Sequence, residues 1–415
     1  MSIKKLFQTR KRRMLTSILS ILIVAGAAII LWTVFGPGLT SDIDPSYAKV
    51  AVPAGEASDE PLRSEAAFTK AMKNYPVIKE SIDGNVPLPG IYSSYGLRKK
   101  ADKAYELVKS ENYTPQGITI SDRYIFISAY DHEHKLNSVI FMIDYRSGKY
   151  VKTIGLDNKA HVGGLGYDLQ MGILWVSDSH GGKAVLSGIN QADIDEYDMK
   201  EKEPIFYTAK LTLDTIKAAS TVEFHKNNLL VGYFSQKSGG GQIQVFKTKF
   251  EKGEDGTYFL TAGNAKKESY TKSGVWHISA NSAYSVPAEV QGLAVDDGYL
   301  FMSRSFGNKD SKITRYSIQV NGSKVQFGKG ETVKAPPYLE QVAITRFRPN
   351  GKDKVITVLF PLFESSQINY RRKTNAFVDR IFGISEATFD KYAKKDKASA
   401  KPKSIPVKAV TGKSS

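Results

Sequence analysis

The spacing of hydrophobic and polar positions changes three times along the chain, and each change marks a different kind of segment. Residues 14–35 are rich in Ile, Leu, Val and Ala and carry no charged side chain. Residues 36–60 are rich in Ser, Pro, Ala, Gly and acidic residues, a composition typical of a linker. Residues 61–112 mix Ala and Leu with charged residues at helical spacing. They predict a lead-in with two short helices, Glu60–Tyr75 and Leu97–Lys109.

From residue 113 to 390 the pattern becomes a series of short β-rich runs separated by Gly, Asp and Asn. A unit recurs in it: a small or Gln-Gly opening, a short strand, a second strand that ends in Ser or a polar cluster, and one or two further strands. The opening positions are Gly117, Gly164, Thr221, Gly292 and Gln341, at spacings of 47, 57, 71 and 49 residues. Such spacings, with several strands per unit, are typical of a β-propeller.

We therefore expect an all-β domain over residues 113–390, folded as a β-propeller of five blades. A sixth blade stays open, because the longest interval includes residues 258–279, which could hold one. A β-sandwich is the structural alternative, but a sandwich gives no reason for the Gln-Gly opening to repeat.

Several stretches carry a resemblance to known propellers. Residues 164–168 read Gly-Leu-Gly-Tyr-Asp, residues 174–178 read Leu-Trp-Val-Ser-Asp, and a Val-to-Asp strand over 139–144 is followed by Ser-Gly-Lys. On these residues the chain resembles the NHL, gluconolactonase and strictosidine-synthase-like propellers, and also the YncE-like propellers secreted by bacteria, over Thr114–Ile384. The resemblance implies the architecture and not an activity, because propellers serve as hydrolases, lyases, lectins and scaffolds alike.

The charge of the chain is uneven. With 58 Lys and Arg against 42 Asp and Glu, the formal net charge is +16, a value that suggests a nucleic-acid partner. Residues 1–13, however, carry six basic side chains and no acid, and residues 391–415 carry eight Lys and one Asp. The body between them has a net charge of about +3. Because the excess lies at the two ends and the body is expected outside the cell, we expect no nucleic-acid partner.

The first basic end precedes the apolar run of residues 14–35. These 22 residues would span roughly 30 Å as a helix, enough to cross the hydrocarbon core of a membrane. Basic residues before the run, with Asp42 and Asp44 after it, predict a cytoplasmic N-terminus. We expect a signal anchor, and hence a single-pass type II protein of the cell membrane with an extracellular C-terminal domain. A cleaved signal peptide, with Ala25-Gly26-Ala27 as its small-residue motif, is the alternative.

The second basic end, residues 391–415, contains few large apolar side chains, so we expect a disordered Lys-rich tail. Its charge would attract anionic wall polymers or lipid headgroups, or would only keep the chain soluble. The chain has no Cys, which excludes disulfides, thiolate metal sites and Cys nucleophiles. The Lys content and the missing Cys favour the cell surface of a Gram-positive bacterium.

Propeller geometry indicates where a ligand would bind. The first strand of each blade follows the central channel and the second returns antiparallel, so the start of one and the end of the other meet at the channel mouth. Concave mouths are the usual place for ligand sites. The candidate ligand-binding residues are Gln116, Tyr130, Asp131, His161, Asp178, His180, Tyr233, Gln291, Arg304, Gln341 and Glu364.

Two kinds of chemistry are open at this mouth. His132 and His134 would point to the same side of an extended stretch and, with a nearby carboxylate, could hold a divalent metal. Solvated surface is the alternative. Asp178 and Glu364 could act as acid and base in sugar cleavage, or Asp178 could cap a turn. No other cofactor is expected.

Binding of a cell-envelope ligand by a monomeric propeller is the function that these patterns favour. The ligand would be a glycan, an anionic polymer or a surface partner protein, held at the channel mouth. Two alternatives remain: a metal-assisted hydrolase or lyase that acts on a carbohydrate or lactone, and a structural scaffold.

Overall fold

The computed structural model describes residues 51–180, 182–237, 239–252, 258–262, 269–270, 275–321, 324–347, 355–395 and 401–410. All of these residues belong to one compact unit, which spans Asp44–Ser415. Within them, no helix is long and apolar enough to cross a membrane. The apolar run of residues 14–35, and with it the predicted anchor, lies outside the described residues.

Strands make up most of the described chain, and its helices are short. The helical segments are Glu65–Ala71 (α1), the 3-10 turn Met72–Asn74, Pro76–Lys79 (α2), Gln191–Glu196 (α3), the 3-10 turn Met199–Glu201, Ile368–Arg371 (α4) and Glu386–Tyr392 (α5). The strands are β1 (Val86–Pro87), β2 (Ser94–Lys99), β3 (Tyr105–Ser110), β4 (Tyr113–Ile120), β5 (Tyr124–Asp131), β6 (Val139–Asp144), β7 (Tyr150–Gly155), β8 (Leu165–Asp168), β9 (Ile173–His180), β10 (Lys183–Asn190), β11 (Ala209–Leu213), β12 (Thr221–His225), β13 (Asn228–Tyr233), β14 (Gly241–Lys247), β15 (Lys249–Lys252), β16 (Tyr258–Ala262), β17 (Ser269–Tyr270), β18 (Val275–Ile278), β19 (Ser282–Val286), β20 (Val290–Asp296), β21 (Tyr299–Arg304), β22 (Ser311–Asn321), β23 (Lys324–Ala335), β24 (Leu339–Phe347), β25 (Ile356–Phe363), β26 (Arg380–Ile381), β27 (Ile384–Ser385), β28 (Lys394–Lys395) and β29 (Lys403–Ile405). The predicted all-β class is confirmed.

Five sheets, built from antiparallel meanders, surround one axis in the described part of the chain. They are blade 1 (β4–β7), blade 2 (β8–β11), blade 3 (β12–β14 and β19), blade 4 (β20–β23) and blade 5 (β24, β25 and β27). The first strand of each blade contacts the first strand of the next, and β24 contacts β4, which closes the ring. The fold is a five-bladed β-propeller, as the repeat predicts.

The longest interval between blade openings does not build a sixth blade in the described ranges. The strands β15 and β16 pair with each other as a separate hairpin. Strand β18 pairs in parallel with β11, and β17 pairs with the far side of β18. The interval therefore widens the outer edge of blade 2 and adds a hairpin beside blade 3.

The repeated glycines mark the points where neighbouring inner strands approach most closely. A Cβ atom at Gly164 would lie 2.5 Å from the Thr221 Cα, and one at Gly292 would lie 2.4 Å from the Gln341 Cα. No side chain fits at such distances, so only glycine lets the inner strands meet there. The repeated Ser of the second strand bonds to the same glycine. In blade 2, the Gly164 amide donates to Ser177 Oγ at 2.7 Å. The repeat of Gly and Ser is therefore a packing feature of the ring.

The first half of the lead-in is helical, as predicted, and it fastens the start of the described chain to the propeller. Phe68 of α1 is fully buried in a core cluster with residues of blades 4 and 5. The Arg63 amide donates to Asp379 Oδ2 at 3.1 Å, and β1 pairs with β26. Even the end of the predicted linker is ordered, since Ala57 is buried and bridges to Ser94.

The second predicted helix, Leu97–Lys109, is wrong, because this segment forms the hairpin of β2 and β3. Its turn holds Lys103 at a φ of 71°, and Asp102 Oδ1 accepts a hydrogen bond from the Ala104 amide at 3.1 Å. An Asp that bonds the backbone two residues on favours a turn over a helix. The hairpin buries Leu97 in the core cluster of blade 1.

Part of the Lys-rich tail is ordered, so the prediction of disorder is wrong for these residues. Lys394–Lys395 pairs as β28 with the edge of blade 4, and Lys403–Ile405 pairs as β29 with the edge of blade 3. Farther along, the Val410 amide donates to the Asp214 carbonyl at 2.9 Å. A segment that adds to a sheet edge pairs through its backbone N–H and C=O groups. Lys residues have these groups like any other residue, so a Lys-rich composition does not prevent the pairing. The rest of the tail, residues 396–400 and 411–415, lies outside the described residues.

Candidate functional site

Three blades open with an unusual backbone conformation at the channel mouth. Val162, Glu289 and Tyr338 lie shortly before β8, β20 and β24, with positive φ values of 47°, 67° and 66°. The left-handed region is uncommon for residues other than Gly, and for a β-branched Val it is an outlier. Such conformations persist where the surrounding structure imposes them, often at functional sites. Val162 and Tyr338 line the cavity described below.

A β-bulge at the start of an inner strand turns further side chains into the mouth. The register of β4, β20 and β24 against the neighbouring strand shifts at this point. The shift falls on Gln116, on Gln291 and on the pair Glu340 and Gln341. A bulge redirects the side chain of its extra residue. Gln116, Gln291 and Glu340 accordingly face the mouth and line its cavity.

The mouth encloses a cavity of about 620 Å³. Five residues predicted from the sequence line it, namely Gln116, His161, Asp178, Gln291 and Glu364. Its wall also includes residues absent from the predicted set, among them Lys183, Lys217, Phe234, Tyr338, Glu340 and Tyr370. A cavity of this size accepts a small organic molecule or the end of a polymer. The mouth is thus not filled by its own side chains.

Gln341 is predicted to bind ligand, but its side chain ties inner strands together instead. Its Oε1 accepts from the Ile118 amide at 2.9 Å and from the Leu165 amide at 2.8 Å. Its Nε2 donates to the Leu165 carbonyl at 2.8 Å and to the Val222 carbonyl at 2.9 Å. The side chain is fully buried. Because the whole amide is engaged with blades 1, 2 and 3, it has no free group to offer a ligand.

Glu340 and Glu364 form a pair of carboxylates in the cavity wall. Gln116 Nε2 donates to Glu364 Oε2 at 3.2 Å, and the Tyr370 hydroxyl bonds the same carboxylate. Burial raises the pKa of Glu364 to about 8, against the lowering effect of these hydrogen bonds and of the Lys373 charge. Burial and the charge of Glu364 hold the pKa of Glu340 well above its usual range. The coupled pair therefore retains at least one proton at neutral pH.

Aromatic rings stand beside these carboxylates. The Tyr130 ring stacks on His161 with centroids 4.2 Å apart, and the Tyr370 ring lies 5.0 Å from Tyr338 and 5.6 Å from the edge-on ring of His132. The hydroxyl of Tyr370 lies near that of Tyr130. Enclosure and the neighbouring histidines lower the pKa of His161, so its ring is neutral at neutral pH. Tyr130 does not line the cavity, but it contacts His161 and Tyr370, which do.

The histidines predicted as metal ligands lie at the edge of this aromatic group. His132 Nδ1 is 3.4 Å from Thr114 Oγ1, and the ring of the exposed His134 lies 5.3 Å from the ring of Tyr130. Across the described ranges, no three His, Asp or Glu side chains are grouped so as to hold a metal ion. His180 ends β9, and its side chain lies outside what the structure describes. The metal site stays a prediction.

Asp178 lines the cavity, yet its oxygens already have partners. Asn158 Nδ2 donates to Oδ2 at 3.0 Å, Ser187 Oγ donates to Oδ2 at 2.9 Å, and the Ser179 amide donates to Oδ1 at 2.6 Å. This carboxylate fixes the end of β9, which supports the turn-capping alternative. The carboxyl group on which the charge of Glu364 acts is Glu340.

Comparison with known proteins identifies no family for this chain. No protein-family profile and no curated protein matches the chain. Among solved structures, the putative oxidoreductase (glucose dehydrogenase) from Thermus thermophilus is similar at 12% identity, over 70% of this chain and 95% of that chain, with a TM-score of 0.38. A chain of the mitotic checkpoint complex is similar at 10% identity, over 72% and 85%, with a TM-score of 0.34. The chain is a β-propeller. The resemblance read from its repeats is confirmed at that level alone.

The other predicted mouth residues serve the loops around the cavity. Asp131 Oδ2 accepts from the Lys135 amide at 2.7 Å and so caps the turn after β5. Arg304 Nε donates to the Ala288 carbonyl at 2.9 Å. Tyr233 packs against the core cluster of blades 2 and 3. These residues stand at strand ends as predicted, but their side chains do not line the cavity.

The lining residues near the carboxylates that the sequence did not predict include Tyr338, Tyr370 and Glu340. Tyr370 belongs to α4, in the connection after β25, where the propeller repeat gives no periodicity. Glu340 directly precedes Gln341, and only the bulge decides which of the two faces the mouth. The sequence contains one indication of Glu340. Blades 1 and 4 open with Gln-Gly, whereas blade 5 has an acidic residue at the position of that Gln.

Proposed function

We propose that this protein binds a polyhydroxylated cell-envelope ligand, a glycan segment, in the cavity at the propeller mouth. The observation that carries the proposal is the combination of flat rings and convergent polar groups on one wall. Tyr338 and Tyr370 offer faces for stacking on a sugar ring, and Gln116, Gln291 and Glu364 offer amide and carboxyl groups for its hydroxyls.

The proposal includes a location outside the cell. It rests on residues 1–35, whose basic start and long apolar run favour a single-pass anchor of type II. Lys183 and Lys217, both exposed, line the cavity on the side of blade 2. They could pair with phosphate or carboxylate substituents, so an anionic envelope polymer falls within the same proposal.

The test is titration calorimetry of the full-length protein with oligosaccharides released from bacterial envelopes. Tyr370→Ala should weaken binding at least about tenfold, because a stacked ring and a hydrogen bond are lost. Tyr105→Ala, on the β2–β3 hairpin and outside the cavity wall, is the matched control and should leave the affinity unchanged. If Tyr370→Ala binds normally while removal of residues 391–415 abolishes binding, the mouth is not the site and the scaffold alternative is supported.

A second candidate, an acid–base hydrolase or lyase, is favoured by one observation. Burial raises the pKa of Glu364 to about 8, and Glu340 lies close enough to couple with it. A carboxylic acid that is protonated at neutral pH can protonate a leaving group, as glycosidases require. A hydrolase would turn over glycosides or lactones, with or without added divalent metal. Its rate would fall at least about hundredfold in Glu364→Gln with little change in binding. A binding protein would show no turnover in either form.

A further inference from the structure

Glu340 is a buried carboxylate without a hydrogen-bond donor. Only 5% of its surface is exposed, and it lines the cavity. In the described part of the chain, no amide or side chain donates to its oxygens. The charge that acts on it is that of Glu364, which has the same sign. A carboxyl group that faces a cavity without a partner from the protein is free to bind a group that enters the cavity, so Glu340 can take an external partner.

The described protein groups near Glu340 do not supply that partner. The charge of Lys373 acts on Glu364, and its Nζ lies 5.6 Å from the centroid of the Tyr370 ring, but no cation acts on Glu340. Lys183 and Lys217 belong to the opposite part of the wall, on the blade 2 side, and are exposed. Glu340 itself therefore lacks both a paired cation and a hydrogen-bond donor.

The surroundings of the carboxylates fit an organic cation. Tyr338 and Tyr370 line the cavity beside them with ring centroids 5.0 Å apart, and His161 is held against Tyr130. Faces of aromatic rings attract ammonium groups, and carboxylates accept their hydrogen bonds. A hydrated Ca²⁺ or Mg²⁺ ion would instead require further oxygen ligands.

We propose that the ligand presents a protonated amino group to Glu340 and Glu364, beside the rings of Tyr338 and Tyr370. The glycan would then be an amino sugar with a free amine. This inference rests on the proposed glycan-binding function and names the substituent that the site selects. The ammonium would supply both the charge and the donors that Glu340 lacks.

The experiment compares two probes that differ in the amine alone. Full-length protein is titrated at neutral pH with the glucosamine tetrasaccharide and, separately, with the N-acetylglucosamine tetrasaccharide. We expect the free amine to bind at least about tenfold more tightly, since charge-assisted hydrogen bonds and a cation–π contact are gained.

Two variants place the preference at the carboxylates. Glu340→Gln should lose most of the preference for the amine while it keeps the affinity for the acetylated probe, which also shows that it is folded. Glu364→Gln should lose the preference too, and it should bind both probes more weakly because Glu364 also accepts from sugar hydroxyls. Glu196→Gln, an exposed carboxylate at the end of α3, is the matched control and should behave as the unmodified protein.

Each remaining outcome decides against one claim or both. Equal affinity for the two probes, with binding that is lost in Tyr370→Ala, overturns the amine inference and leaves the glycan site standing. A preference for the amine that survives in both Gln variants places the amine elsewhere and also overturns the inference. No binding of either probe counts against the inference and, with negative results for envelope oligosaccharides, against the proposed function.

Discussion

The side chain of Gln341 donates a hydrogen bond to the Val222 carbonyl at 2.9 Å and so joins blade 5 to blade 3 across the axis of the propeller. The same amide bonds to the backbone of β4 and β8. One side chain thus connects four of the five inner strands. Because its partners follow the cavity-lining openings in those strands, Gln341 bridges the inner strands behind the mouth.

Replacement of Gln341 should therefore destabilise the fold more than replacement of a mouth residue. Gln341→Leu leaves buried amides and carbonyls of three blades unpaired, and we expect a loss of about 3 kcal/mol or more in the free energy of unfolding. Gln291→Leu makes the same substitution at a side chain that faces the cavity, and should cost less than about 1 kcal/mol. Urea denaturation measures both. Equal losses would contradict the role assigned to Gln341.

The close approach of inner strands predicts that Gly164 tolerates no side chain. Gly164→Ala places a Cβ 2.5 Å from the backbone of β12, so the ring must open there. We expect a loss of more than about 3 kcal/mol, or no soluble protein. Gly307 is the control because its φ is 64° and open space surrounds it. Gly307→Ala should cost only the left-handed strain, about 1 kcal/mol. If Gly164→Ala lost little stability, the inner strands would have to lie farther apart than the structure shows.

The carboxylate pair predicts that stability falls as the pH rises. The pKa of Glu364 is about 8 in the folded protein, above its ordinary value, so folding favours the protonated form. Stability is greatest below the ordinary pKa of a Glu and is lost as the pH rises through about 8. Gln116, Tyr370 and Lys373 face the group and oppose this shift, whereas Glu340 couples to it.

Removal of one carboxyl should flatten this profile. Both proteins should become less stable as the pH rises from 5 to 9. The decrease in the free energy of unfolding should be about 2 kcal/mol smaller for Glu364→Gln than for the unmodified protein. A slope remains, because burial also raises the pKa of Glu223 to about 8. Glu196→Gln should leave the slope unchanged. Thermal melts across this range give the comparison, and identical profiles for all three proteins would count against a buried, protonated Glu364.

The tail strand predicts a stability contribution that depends on backbone and not on Lys charge. Truncation after residue 400 removes β29 and its pairing with β19, and should cost about 1–2 kcal/mol. The freed edge of blade 3 should also increase aggregation. Lys403→Ala keeps the backbone pairing and should be neutral, since its side chain is exposed. A neutral truncation, or an equally harmful Lys403→Ala, would contradict this.

The sequence by itself determined the propeller because its blade signals are local and repeat. Gly117, Gly164 and Gly292 lie where neighbouring inner strands approach most closely. Ser128 and Ser177 accept hydrogen bonds from the amides of the first two. The packing around the axis therefore requires the same residue types at a regular spacing in the sequence. The same logic located the mouth and five of its lining residues. It failed at Leu97–Lys109, where composition alone did not separate a helix from a hairpin closed by an Asx turn.

Tertiary structure alone decided what each mouth residue does. Gln116, Gln291 and Gln341 have similar places in the repeat, yet two face the cavity and one spans three blades. A bulge of one residue decides this, because it exchanges the sides to which neighbouring side chains point. Tyr370 reaches the wall from a helix outside the repeat, and the tail joins sheet edges through backbone groups that side-chain patterns do not report. Pairing and register are long-range properties, so the site emerges only when the ring is closed.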